Sequence, residues 1–217
     1  FVLMAPTCKK MDDIIDTVSE IITSTFYKYG LTINWKPGKT EAMLRYRHKH
    51  SAKALDHRRL PSGKIAIELP PSCGDNLLNV VDKYKHLGGM VTVTGNMTPE
   101  TEHRACSALQ AFTPLAIRIF GSLYVPTCLK MSFVQTLVYS RLLFNAHVWE
   151  VTPKVIAKLN TVQSRILRRV CGEMRYSATS STLSDRDVRR SLTAMSIDCL
   201  IQRARLKYIV RVQASRC

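Results

Sequence analysis

Five cations, Lys154, Lys158, Arg165, Arg168 and Arg169, carry the clearest chemistry in this chain, and no acid stands among them. At roughly 100° per residue they share one arc of a helix over 152–171. Val155, Leu159, Val162, Ile166 and Val170 share another arc, almost entirely opposite. One face can seat on a core while the other meets phosphate oxygens, which suit the Arg fork and the Lys point charge alike. A solvated charged face is the plainer reading. The sign bias favours phosphate: the first acid after residue 150 is Glu173, so these cations have no helical i,i+4 partner. Arg203, Arg205 and Lys207 form a second cluster clean of acids. Arg186, Arg189 and Arg190 stand among Asp185 and Asp187, where local ion pairing competes with phosphate.

Other chemistry is poorly served. Asp12-Asp13 is the one adjacent pair of aspartates, and it sits on the first turn of a predicted helix, where acids favour the dipole. His48-Lys49-His50 with His57 has no Cys or carboxylate to complete a tetrahedral metal set, and His103 with Cys106 lacks two further ligands. No metal site is expected. Cys171 reads as a small buried residue and Trp149, after an apolar helix, as core.

The bulk properties agree with a polyanionic partner. Lys plus Arg number 32 against 16 acids, a net charge of +16, and nucleic acid is the usual partner of such an excess. Residues 151–217 hold 14 of the cations and 4 of the acids, which moves the expected contact toward the C-terminus. Apolar residues make up 46%, enough for a real core. Seven scattered cysteines without a CxxC pair argue for a reducing, intracellular compartment, nucleus or cytoplasm. The apolar run Met131–Trp149 is interrupted by Gln135, Arg141, Asn145 and His147, so it reads as a buried helix and no membrane span is expected. Phe1–Ala5 is too short for the core of a signal peptide, and the chain is read as a fragment at both ends.

The elements that must position these residues divide near residue 98. Before it, Phe1–Ala5 reads as a buried strand and 9–29 as an amphipathic helix stopped at Gly30. Thr32–Asn34 and Ala42–Tyr46 read as extended about a Pro37-Gly38 turn, 47–63 as a loop and Lys64–Leu69 as a strand. Tyr84–Val93 reads as a hairpin with Gly88-Gly89 at or near its bend. After it, Thr98 is placed as a cap, and helices are expected over 99–120, 127–148, 152–171, 185–194 and 197–213, with a loop over Ser177–Ser184. The expected fold class is α+β: a small β/α unit over 1–98 and an all-helical bundle over 99–217.

Several of these segments resemble the reverse transcriptases of non-LTR (LINE-like) retrotransposons, in that family's order. Tyr84-Lys85-His86-Leu87-Gly88-Gly89-Met90 resembles the primer-grip hairpin between palm and thumb. Gly30-Leu31-Thr32-Ile33-Asn34 with Lys39-Thr40 and Met43 resembles palm motif D, at slightly long spacing. Glu102-His103-Arg104-Ala105, the run Leu137–Asn145 with Trp149, the helix containing Gln163, Arg165, Leu167-Arg168-Arg169 and Gly172, and Arg203–Tyr208 resemble successive thumb segments. The resemblance implies a C-terminal palm remnant followed by a thumb-like region. It implies an RNA template and DNA primer as partners, and a primer grip at Tyr84, Lys85, Leu87, Gly88 and Gly89. Lys39 becomes a candidate proton donor to the leaving pyrophosphate. Nucleic acid would be met by Lys154, Lys158, Arg165, Arg168, Arg169, Arg203, Arg205 and Lys207. In the intact enzyme two Mg ions are held by palm aspartates, which this chain does not contain, so upstream fingers and palm are required and the isolated chain is expected to be inactive. The competing expectations are a non-enzymatic nucleic-acid-binding module and a degenerate retroelement product.

Overall fold

The computed structural model describes residues 8–45, 58–74, 76–172 and 183–215. The Phe1–Ala5 strand, the His48, His50 and His57 group and most of the expected Ser177–Ser184 loop lie outside the described residues. The protein is mixed α+β, and the chain divides into two compact units, residues 1–96 and 97–217.

The first unit sets one helix on a small sheet. Helix α1 spans Cys8–Lys28 and ends in a Schellman turn: Leu31 N–H bonds to Phe26 carbonyl and Gly30 to Tyr27, with Gly30 at φ +70. Strands β1 (Glu41–Ala42), β2 (Ile65–Glu68) and β3 (Leu77–Val80) lie in the order β1-β3-β2, with β1 parallel and β2 antiparallel to β3. Ile15 of α1 is buried against Ile67, Leu69, Cys73 and Leu78. The predicted apolar stripe of α1 is only partly used, since Ile21 and Phe26 are exposed. A 21-residue helix runs about 31 Å and a four-residue strand about 13 Å, so the sheet covers only part of α1; Glu20 and Thr23 meet the Pro71–Cys73 turn instead, through Ser72 and Cys73.

Of the two segments expected to be extended, Thr32–Asn34 joins no ladder among the described residues, and Ala42 pairs in the two-residue β1 with Glu41 before it; Tyr46 lies outside the described residues. The central strand β3 was not anticipated, because Leu77-Leu78-Asn79-Val80 lacks period-two alternation. Strands β4 (Lys83–His86) and β5 (Gly89–Thr92) form the expected hairpin, with Leu87-Gly88 as its two-residue bend and Gly89 closing the ladder opposite His86.

The second unit is helical. Helix α2 spans Thr98–Phe112; the cap position is Met97, and Thr98 is already the first helical residue, with Pro99 beside it in the first turn. The helix expected over 99–120 changes winding at Pro114, which offers no N–H, into a 3₁₀ turn over Thr113–Leu115 and a π-helical turn over Ala116–Phe120. Helix α3 (Thr127–Phe133) continues through a π-helical stretch, Val134–Tyr139, into α4 (Ser140–Leu142). Within that stretch the Thr136 hydroxyl donates to Ser132 carbonyl at 3.0 Å and Ser140 to Thr136 at 2.6 Å, back-bonding of the kind that bends helices. Helix α5 spans Pro153–Cys171. Its ends follow local chemistry: Thr152 Oγ1 accepts from Val155 N–H, Pro153 opens the first turn and Gly172 closes it at φ +78. Helices α6 (Asp185–Ser191) and α7 (Ile197–Ala214) are capped by Ser184 and Ser196. The core of this unit gathers Phe120, Val134, Val138, Leu142, Leu159, Ile166, Leu167, Ile197 and Ile201, with Phe112 and Phe120 stacked at 4.9 Å.

Candidate nucleic-acid interface

In the first unit, the β4–β5 hairpin and the turn before β1 meet. Leu87 and Gly88 both have positive φ, +46 and +84, as a two-residue type I′ hairpin requires. Glycine adopts this freely, but leucine does so at a cost of about 1 kcal/mol. Leu87 nevertheless stands 82% exposed at the tip, with Lys85 exposed beside it. The preceding turn closes through Lys39 N–H to Lys36 carbonyl at 3.0 Å, with Gly38 at φ +80. Glu41 Oε1 accepts from Gly38 N–H at 2.7 Å. Tyr84 Oη donates to Lys39 carbonyl at 2.8 Å, so two residues of the sequence-derived site share one local frame. The Lys39 side chain is exposed.

In the second unit, α5 buries its whole predicted stripe: Val155, Leu159, Val162, Ile166 and Val170. Gln163, Leu167 and Arg168 are also buried, so the covered face is wider than the stripe. Lys154, Lys158 and Arg165 remain exposed, and none of them forms an ion pair among the described residues. They edge an open groove between α5 and α2. One end of it is lined by Thr98, Thr101 and Lys154; the other, 760 Å³ in volume, by Cys106, Gln110 and Arg165. Glu102 of α2 and Lys158 line both ends. Within their own helix these cations have no acidic i,i+4 partner, and the carboxylate on the groove, Glu102, comes from α2.

Two members of the basic arc are corrected. Arg168 is buried: Nε donates to Asp185 Oδ1 at 3.1 Å and an Nη to Leu183 carbonyl at 2.8 Å, so it ties α5 to the start of α6. Arg169 Nε donates to Ala116 carbonyl at 2.9 Å, and its guanidinium fills the space where a Cβ on Gly121 would stand. Both Arg side chains are used inside the fold, because helical angles locate a residue on its own helix and say nothing of what a neighbouring helix brings. Arg205 is half-buried, and an Nη donates to Trp149 carbonyl at 2.8 Å. Arg203 and Lys207 are exposed on α7.

Two buried polar groups escaped sequence reasoning. Gln163 is fully buried; its Nε2 donates to Tyr139 Oη at 3.0 Å and to Met195 carbonyl at 2.9 Å, joining three segments. Burial pushes the Tyr139 hydroxyl up to about 12, against the Gln163 hydrogen bond and the Arg189 charge, which both favour the anion. Glu100 and Arg104 form a buried i,i+4 pair at 2.7 Å, and Arg104 lies 4.5 Å from the centre of the Phe144 ring. An E-x-x-x-R spacing in a first helical turn is the one sequence signal that could have found this pair.

Among the described residues no group of three His, Cys, Asp or Glu is placed to hold a metal ion. Asp12 is ion-paired with Arg58, and Asp16 beside it has its carboxyl raised, first by burial and then by Asp12. The described residues therefore offer no carboxylate group that fits a two-metal polymerase centre. Among the described residues no helix is long and apolar enough to cross a membrane. Comparison with protein-family models, with curated proteins and with solved structures finds no match to this chain.

Proposed function

We propose that this chain binds duplex or hybrid nucleic acid without sequence preference, as the thumb-side piece of a non-LTR-type reverse transcriptase. The observation that carries the reading is the set Lys154, Lys158 and Arg165: three exposed cations along one edge of α5, whose opposite face is buried. Over eleven residues they span about 16 Å, enough to follow a run of phosphates. Glu102, on the same groove, repels phosphate, so the backbone is seated on the α5 side of it. In this reading the hairpin presents Leu87, Lys85 and the Gly88-Gly89 backbone to a primer end, and Tyr84 holds that hairpin to the Lys39 turn. The same reading places the protein with its RNA template and DNA primer inside the cell, in nucleus or cytoplasm.

Binding is the activity of this chain; polymerisation belongs to an assembly that supplies the missing carboxylates and fingers. The test is a labelled RNA–DNA hybrid titrated with the chain at several salt concentrations. Salt-dependent binding that weakens in Lys158→Gln/Arg165→Gln supports the reading. Failure to bind at low salt favours a degenerate product instead. Chelator-sensitive nucleotide incorporation by the chain alone would overturn the division of labour.

A further inference from the structure

We propose that the free face of α7 is a docking surface for an acidic amphipathic helix of a partner protein. One side of α7 is already occupied: Arg205 bonds to Trp149 carbonyl and the Tyr208 ring stacks on His147 at 4.4 Å. The other side carries two parallel ridges at i,i+4 spacing. Arg203, Lys207 and Arg211 form a basic ridge, and Gln202, Leu206 and Val210 an adjoining apolar-centred one. Leu206 is 64% and Val210 62% exposed, and with Met195 they line an open, largely apolar groove of 750 Å³.

Charge and shape together choose the occupant. Ridges of this pitch accept the complementary ridges of another helix, so the partner element is helical. Its apolar i,i+4 residues cover Leu206 and Val210, and its acids meet the basic ridge. Among the described residues no acid lines the groove; Asp198 stands one turn earlier, at the helix start where the dipole favours it. A second copy of this chain, itself at +16, is repelled. A phosphate backbone could meet the three cations but offers nothing to cover the apolar ridge. Pairing apolar anchors in a groove with flanking charges is an established way of recognising helices.

The face is independent of the α5–α2 groove, so failure of duplex binding leaves it standing. The probe is a synthetic helix of about five turns with Leu at i,i+4 positions and Glu on the adjoining ridge. Controls are a scrambled peptide of the same composition and a version with every Glu replaced by Lys. The full chain is expected to bind the Glu peptide and not the scrambled one. Leu206→Ser/Val210→Ser, at exposed positions that leave folding intact, is expected to weaken binding roughly tenfold or more. The charge-swapped Arg203→Glu/Lys207→Glu/Arg211→Glu variant is expected to lose the Glu peptide and gain the Lys peptide. Equal binding of the scrambled peptide, no binding of the Glu peptide, or unchanged binding by the serine variant overturns the proposal. So does a nucleic-acid duplex whose own binding depends on Arg203 and Lys207 and which displaces the peptide.

Discussion

The Tyr84 hydroxyl donates a 2.8 Å hydrogen bond to the main-chain carbonyl of Lys39, 45 residues earlier in the chain. It ties the β4–β5 hairpin to the turn before β1. Because the contact is exposed, Tyr84→Phe is expected to cost about 0.5–1 kcal/mol. Trp35 packs at the edge of this unit's core and Trp149 in the other unit's core, so each tryptophan reports on its own unit. Urea titration of Tyr84→Phe in a Trp149→Phe background should move the Trp35 transition; an unmoved midpoint means the bond contributes nothing.

Arg168 and Asp185 are unequal partners. The Arg168 side chain is 8% exposed and the Asp185 side chain 44%. Removing the carboxylate strands a buried guanidinium, one of whose Nη atoms already lacks a partner. Removing the guanidinium leaves a carboxylate that water can reach. Asp185→Asn is therefore expected to cost more than Arg168→Met, by about 1–2 kcal/mol, with the exposed partner limiting the value of the pair itself. Denaturant unfolding of the two variants decides it, and the reverse order would contradict the burial argument.

Gly121 and Arg169 are expected to be coupled. A Cβ at 121 would stand 2.6 Å from an Arg169 Nη, so Gly121→Ala displaces the guanidinium from Ala116 carbonyl. The expected cost is about 1–2 kcal/mol, and it should largely vanish in an Arg169→Ala background. Additive effects in the double-mutant cycle would show that the two positions do not communicate.

How far the sequence could be read depended on whether the cause was local. Both ends of α5 were legible because Thr152, Pro153 and Gly172 act within one turn of themselves. Its buried stripe was legible because period 3.6 depends only on the helix. The roles of Arg168, Arg169 and Arg205 were not, since each depends on a carbonyl or carboxylate 17 to 56 residues away. β3 was missed because adjacent Leu77 and Leu78 fall on opposite faces, one exposed and one buried, so no period-two pattern marks the strand; the π-helical turns were missed because nothing in binary pattern distinguishes them from α-helix.

Tyr139 gives a pH signature. Its folded-state pKa is raised to about 12 by burial. A raised tyrosine pKa gives stability that is fully present below the unfolded value near 10 and is lost as pH climbs through the folded value. Between about pH 10 and 12 the parent should lose on the order of 2 kcal/mol that Tyr139→Phe does not lose. Parallel decline of the two proteins over that window would show that Tyr139 ionises as freely folded as unfolded.

The most direct measurement is the slope of log K against log salt for a DNA duplex, taken on the parent and on Lys158→Gln/Arg165→Gln. Three phosphate contacts by Lys154, Lys158 and Arg165 correspond to a slope of roughly −3. The double variant should be flatter by about 2 units and melt at the parent's temperature, since both side chains are exposed. Arg169→Gln should instead lower stability more than slope. A slope unchanged by Lys158→Gln/Arg165→Gln, or no binding by the parent at low salt, would contradict the assignment of the α5 edge as a phosphate-binding surface.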